Sequence, residues 1–394
     1  MGVEGGAASD LSTAGARRRP RWRRWLGAIA AALLLLLVVG DVGAGWYFSS
    51  QLLVVDHTRE YPLTIQAVAG DEVTLSRDPD ALRPIRFGLS WLDGHAVLDS
   101  SVRETPDGVV RRVVEVTRGS LNAGSHAQLD HKVFDTDPKS SRGLDFSPVT
   151  LHGELGDAPA WYVPPTGTTS RTTWVIAVHG RGVSRTETLR ILPTLAASGA
   201  PTLAIAYRND EGAPASPDGL YHLGDTEWRE VATAIGYARD HGATGVVLYG
   251  WSMGGAIVLT ALHRLPPADA GFIRAAVLDS PVLDWNATLS LQAAQRSLPG
   301  VLTWTAERLI EIRAHLSLDD FDQVRQASAL GVPVLLFVDL DDTTVATAPS
   351  LAFAQARPDL VTLVTTRGGE HTGSWNVDPG RYEAAVRDFL ATHP

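Results

Sequence analysis

Val246-Val247-Leu248-Tyr249-Gly250-Trp251-Ser252-Met253-Gly254-Gly255 is the stretch whose reading decides the fold of this chain. Its four leading residues form an apolar, β-branched run of strand length, and helix-compatible sequence follows from Ala256 to Leu265. A strand that passes into a helix at Ser252 must bend sharply, and glycines flank the bend because a Cβ would strike so tight a turn. The bend drives the serine side chain out of the sheet. A helix starting near Gly255 aims its unpaired N–H groups at the same spot, which favours negative charge there. The arrangement makes Ser252 a candidate nucleophile, against the plainer reading of a glycine-rich connection.

A hydroxyl is a weak nucleophile near neutral pH, so Ser252 needs a base, and the base an orienting group. His371 sits in Arg367-Gly368-Gly369-Glu370-His371-Thr372-Gly373, just past the apolar run 360–364. The later His393 is penultimate, where chains usually fray. Carboxylates come from Asp339-Leu340-Asp341-Asp342-Thr343-Thr344-Val345, after the strand-like run 333–338, and from Asp279 and Asp284 after the run 275–278.

Gly250-x-Ser252-x-Gly254, with acid and then histidine following in the chain, resembles the α/β-hydrolase family. The resemblance implies catalytic Ser252, His371 and an aspartate. Relatives often carry His-Gly after the acid strand, the aspartate three residues past that glycine and a valine three further on. Val345 then assigns the acid to Asp342. Val338-Asp339 stands where His-Gly is usual, which keeps Asp341 as an alternative, with Asp279 and Asp284 behind it. Asp339 and Asp341 otherwise read as solvated loop carboxylates. His179-Gly180-Arg181-Gly182, after the run 174–178, resembles the family's His-Gly-x-Gly oxyanion loop. The likeness implies the backbone N–H groups of Met253 and Arg181 as oxyanion donors, with His179 bracing its own loop.

Beyond residue 170 short apolar strands alternate with amphipathic stretches, the pattern of a mostly parallel sheet wrapped by helices. The expected fold class is therefore α/β, with an α/β-hydrolase catalytic domain over 161–394. Arg181, Ser252, Asp342 and His371 all follow strands, at the carboxyl edge where such sheets bind ligands. Residues 281–330 show no clear strand and read as a small helical cap. Trp251, Trp285 and Trp304 are pocket-lining candidates, with core packing the equal alternative. Residues 49–160 carry short β-like runs between Gly, Asp and Pro turns, an accessory region read as holding the catalytic domain away from a membrane.

The membrane enters through the N-terminus. Six arginines crowd residues 17–24 and precede sixteen apolar or small residues, Trp25 to Gly40. Sixteen helical residues rise about 24 Å, short of a hydrocarbon core of about 30 Å, and residues up to Phe48 supply the rest. Trp46 and Tyr47 then serve as interfacial anchors. The reading is a basic cytoplasmic segment at 1–24 and a single-pass signal anchor at 25–48, with the catalytic body outside the cell membrane. Cleavage near Ala44 and release is the alternative.

Without residues 1–24, whose six arginines face Glu4 and Asp10, the formal net charge moves from −10 to −14. Such an acidic body has no electrostatic footprint for nucleic acid. The chain has no cysteine, which excludes disulfides, thiolate catalysis and Cys-based metal sites. No metal and no cofactor are expected. The whole looks like membrane-anchored or exported serine hydrolases of actinobacterial type. That resemblance implies hydrolysis of a small-molecule or lipid-like ester through an acyl-enzyme. A prolyl-oligopeptidase-like peptidase, an acyltransferase and a catalytically silent envelope-binding protein are the alternatives.

Overall fold

The computed structural model describes residues 21–167 and 170–393, so Arg17 to Arg19 and the rest of the basic segment up to residue 20 lie outside the described residues. One long helix, α1 (Arg21–Leu53), opens the described chain. It is long and apolar enough to cross a membrane. Beyond it, Val54 and Val55 form no strand. Val54 makes only an isolated bridge to Leu220.

Six strands follow: β1 (Leu63–Ala69), β2 (Glu72–Leu75), β3 (Phe87–Trp91), β4 (Gly94–Thr105), β5 (Gly108–Arg118) and β6 (His126–Asp130). They close into a barrel in the order β1-β2-β5-β4-β3-β6. Closure leaves no unpaired edge. Alternate residues, among them Ile65, Val73, Leu75, Phe87, Leu89 and Leu98, fill the interior.

A short helix, α2 (Pro138–Arg142), leads to the second sheet. Its strands are β7 (Ser147–Gly153), β8 (Gly156–Val163), β9 (Thr173–Val178), β10 (Thr202–Ile205), β11 (Gly245–Trp251), β12 (Ile273–Asp279), β13 (Val334–Asp339) and β14 (Val361–Thr366). They lie in the order β14-β13-β12-β11-β9-β10-β8-β7. The run from β14 to β10 is parallel, while β8 is antiparallel to both neighbours. The accessory region expected over 49–160 therefore divides. Residues 63–130 make the barrel, whereas β7 and β8 pair into the main sheet, and the expected break near 160 falls inside β8.

The intervening helices are α3 (Leu192–Ala197), α4 (Trp228–Asp240), α5 (Met253–Arg264), α6 (Pro267–Ala270), α7 (Trp285–Gln295), α8 (Gly300–Ala314), α9 (Thr347–Ala356), α10 (Ser374–Val377) and α11 (Pro379–Thr392). Both faces of the sheet are covered, so its central strands are buried throughout and read as continuous apolar runs. α4, α5 and α9 cover one face and α3 and α11 the other. α7 and α8 stand over the carboxyl edge, and α8 also packs against α1. α1 is thus packed directly onto the cap, with no barrel strand between the two.

Candidate active site

β11 ends at Trp251 and α5 begins at Met253, so the whole turn falls on Ser252, held at φ +52° and ψ −121°. A non-glycine residue there is strained and persists only where its surroundings dictate it. Here the surroundings are backbone: a Cβ on Gly254 would lie 2.2 Å from the Val178 carbonyl oxygen, and one on Gly250 2.5 Å from that of Gly254. The Ser252 N–H donates to the Asp279 carbonyl at 3.0 Å, which ties the turn to β12.

His371 stands on the loop after β14, between Glu370 and Thr372, both at φ +55°. The loop folds back so tightly that a Cβ on Gly373 would fall 1.9 Å from the Gly369 carbonyl oxygen. His371 Nε2 lies 2.8 Å from Ser252 Oγ, and its Nδ1 lies 2.8 Å from Asp342 Oδ2. The Asp342 carboxylate can only accept, so Nδ1 carries the proton and Nε2 is free to accept from the serine. The other oxygen of Asp342 accepts the N–H groups of Thr344 and Val345 at 2.8 and 2.9 Å, which fixes the carboxylate.

The other aspartates are placed elsewhere. Asp341 accepts from Arg367 and from the Gly368 N–H. Asp284 caps α7 through the Ala287 N–H. Asp279 is fully buried and accepts from the Tyr382 hydroxyl at 2.9 Å and from Ser280. Burial lifts its carboxyl to about 6, against the pull of Arg190 and the Tyr382 hydrogen bond. Asp339 is no solvated loop carboxylate. It is buried at the end of β13 and accepts from Thr366 Oγ1 and the N–H groups of Asp341 and Gly369, bracing the loops that carry Asp342 and His371.

The loop after β9 faces the serine from the neighbouring strand. His179 is buried, stacks on Tyr207 at 4.5 Å, and presents its nitrogens to Asp210 Oδ2 and the Gly180 carbonyl, each at 2.8 Å. Two acceptors call for two ring protons. Burial opposes that charge, but Asp210 and the carbonyl outweigh it and raise the His179 pKa. The Gly180 N–H donates to Glu187 at 2.7 Å, whereas the N–H groups of Arg181 and Met253 donate to no protein acceptor among the described residues. The Arg181 guanidinium reaches the Gln51 carbonyl of α1 at 3.4 Å.

Two residues absent from the sequence reading link these loops. Glu187, which accepts from Gly180, pairs with Arg190, and Arg190 donates to the Thr372 carbonyl at 2.6 Å and to Asn376. Both are buried, and a buried pair of this kind is held by geometry that leaves neither charge alone. Their spacing gave only one weak signal, two opposite charges at i and i+3.

A cleft of about 400 Å³ reaches Ser252 and His371. Trp285 lines it while donating its indole N–H to the Leu223 carbonyl. Trp251 does not. Strand alternation turns Val247, Tyr249 and Trp251 to the α3/α11 side, where Trp251 stacks on Tyr249 at 4.2 Å. Trp304 does not either. Thr303 and Ala306 of α8 face the cleft and Thr305 faces α1, so Trp304, a further turn of about 100° round the helix, points outward at 59% exposure. One wall was missed altogether: Tyr47, Phe48, Gln51 and Leu52 of α1. The available signal was the row Asp41, Gly45, Ser49, Leu53, a packing stripe at helical spacing just past the uniformly apolar run.

Residues 216–393 match the prolyl oligopeptidase family, and residues 64–130, the barrel, match a domain of unknown function, DUF8805. No curated protein matches the chain. Among solved structures, the Pyrococcus furiosus esterase Pf2001 is similar in two crystal forms, each at 18% identity and over 66% of this chain. The match spans 96% of that protein with a TM-score of 0.52 in one form, and 94% with 0.51 in the other. At that identity the likeness is one of fold.

Proposed function

We propose that this chain, which has the α/β-hydrolase fold, is a serine hydrolase that cleaves carboxylic esters through an acyl-enzyme. The observation that carries the reading is the pair of 2.8 Å contacts joining Ser252, His371 and Asp342 at a strained turn. Ser252 Oγ attacks the carbonyl carbon while its proton passes to His371 Nε2. Asp342 holds the ring in the tautomer that accepts it and stabilises the imidazolium. The developing oxyanion takes the two unengaged N–H groups of Met253 and Arg181, worth about 3 kcal/mol each by analogy with other such donors. Collapse breaks the C–O bond, and His371 returns the proton to the departing alcohol. Water then repeats the sequence on the acyl-serine, releasing the acid and restoring Ser252.

Ester cleavage is favoured over amide cleavage by the leaving group, since an alkoxide needs less acid assistance than an amine. It is also favoured by the wall of the cleft, chiefly apolar, with Glu307 its single carboxylate among the described residues. The match to the prolyl oligopeptidase family supports peptide hydrolysis as the second reading. A fluorophosphonate probe should label Ser252, and p-nitrophenyl esters from C2 to C12 should be cleaved with higher kcat/KM than Gly-Pro and Ala-Pro p-nitroanilides. The reverse ranking would establish the peptidase. No turnover of either by a folded, unlabelled protein would leave a binding role.

α1 reads as an uncleaved anchor, cytoplasmic at its arginine-rich end. Asp41 and Gly45 lie on opposite sides of a cleavage point at Ala44, and both engage α8. Intact-mass analysis of membrane-extracted protein tests this, and a mature N-terminus at Gly45 would sink it.

A further inference from the structure

We propose that the cleft draws its substrate from the bilayer. The ester is an acyl lipid of the leaflet facing the catalytic body, entering between α1 and α8. This rests on the serine-ester-hydrolase reading above and names its substrate class.

α1 carries two surfaces on one continuous helix. From Trp25 to Gly40 every side chain is exposed, in a helix whose apolar window has a mean hydropathy of 2.4. From Asp41 onward the helix packs through every fourth residue: Asp41 is partly buried, and Gly45, Ser49 and Leu53 are buried. A Cβ on Gly45 would stand 2.9 Å from Thr305 Cγ2, and the Thr305 hydroxyl donates to Asp41 at 2.5 Å. Arg313 donates to the hydroxyls of Ser49 and Ser50 and lies 4.0 Å over the Trp46 ring. The last three turns of α1 therefore belong to the catalytic body, with no tether between.

A hydrocarbon core of about 30 Å takes about twenty helical residues, which counted from Trp25 end near Ala44. The α1 residues lining the cleft, Tyr47, Phe48, Gln51 and Leu52, then stand within about 12 Å of the hydrocarbon edge. The cleft sits at the headgroups.

α8 runs beside α1 in the same direction, with Thr305 opposite Asp41 and Gly45, and Arg313 opposite Ser49 and Ser50. Carried back one turn, this register sets Val301 and Trp304 about level with Val38 to Val42, at or below the hydrocarbon edge. Both are exposed, at 64% and 59%, on the face of α8 turned away from the cleft. In water that pair is an unpartnered apolar patch. In a leaflet it is solvated, and a tryptophan at this depth is an interfacial anchor. Leu298 and Leu302, from the same end of the cap, line the cleft that reaches Ser252. An acyl chain thus passes from hydrocarbon to the serine along apolar wall, and a substrate arriving from water gains nothing from this placement.

The test uses the full chain reconstituted in phosphatidylcholine vesicles, with 4-methylumbelliferyl oleate in the bilayer and 4-methylumbelliferyl butyrate in the water. The two esters share a leaving group and differ in delivery. In the variant Val301→Asp/Trp304→Asp, oleate turnover should fall at least tenfold while butyrate turnover stays within twofold. An unchanged oleate-to-butyrate ratio overturns the proposal. Because the chain has no cysteine, Val301→Cys, Trp304→Cys and Ile312→Cys can each be spin-labelled singly for depth measurement. Labels at 301 and 304 should be shielded from a water-soluble relaxant and the label at 312 exposed; equal exposure at all three overturns the proposal even if the aspartate variant fails to fold. If wild type cleaves neither ester, the ester reading and this proposal fall together. If it cleaves butyrate and refuses bilayer oleate, only this proposal falls.

Discussion

The carboxyl edge of the sheet and the wall formed by α1 and the cap meet at one serine, yet they are built differently. At the sheet edge each side chain of the candidate triad is fixed by backbone strain or by polar contacts. Ser252, Glu370 and Thr372 hold positive φ, and the Asp342 carboxylate is tied down by two N–H groups. Strain of this kind costs of order 1–3 kcal/mol per residue and survives only on a rigid support. The parallel strands and the Glu187–Arg190 link are that support. The wall is held by helix packing at Gly45 and by hydrogen bonds from α8 to α1, and it presents mostly apolar side chains. The contrast teaches where changes should register. Alterations at the edge should appear in kcat, and alterations in the wall in chain-length preference.

The largest effect expected is at the edge. Ser252→Ala and His371→Ala should each lower turnover by several powers of ten, and the double variant should be hardly worse than either, since such residues act as a unit. Single-turnover kinetics on a short ester would reveal additive losses, which would break the assignment.

Asp342→Asn should follow, with kcat falling by about 10⁴ if it behaves as other triad acids do. Asp341→Asn should stay near wild type, because Asp341 contacts Arg367 and Gly368 instead. Circular dichroism would confirm folding, and a reversed ranking would move the acid.

Asp279 separates support from chemistry. Its folded pKa of about 6 lies above the unfolded value, so its contribution is fully present below about pH 4 and is lost as pH rises through 6. Asp279→Asn should therefore gain stability relative to wild type across that window, by on the order of 3 kcal/mol at most. Paired thermal melts at pH 4 and pH 7 measure it. A constant difference between the two proteins would show that the carboxyl does not titrate in this range.

The smallest effect is expected in the wall. Gly45→Leu should push α1 off Thr305 and Leu309. KM for C10 and C12 esters should then rise severalfold while kcat on acetate and butyrate esters holds. A uniform loss across chain lengths would mean that the wall also supports the edge.

Much of the edge was legible because its constraints are local. A strand, a bend and a helix within ten residues dictate glycines around Ser252, and the chain order of serine, acid and histidine needs no three-dimensional knowledge. Asp342 stood ahead of Asp341 only through the resemblance to α/β-hydrolases and the valine that relatives carry three residues on, whereas nothing in a loop-like run of aspartates signals the burial of Asp339. Trp251 follows the core-packing alternative and Trp304 neither reading, for a related reason. Indole size suggests a pocket, but strand parity and helix angle decide where a side chain points.

By itself the sequence determined the alternation that makes a parallel sheet, the turn that presents Ser252 and the apolar run of α1, all consequences of local periodicity and backbone sterics. Only the tertiary structure decided that β7 and β8 join the main sheet, that Glu187 and Arg190 bind two distant loops, and that the end of α1 walls the cleft. Those are contacts between segments tens to hundreds of residues apart. They depend on which surfaces complement each other once the sheet has formed, and no local pattern encodes that.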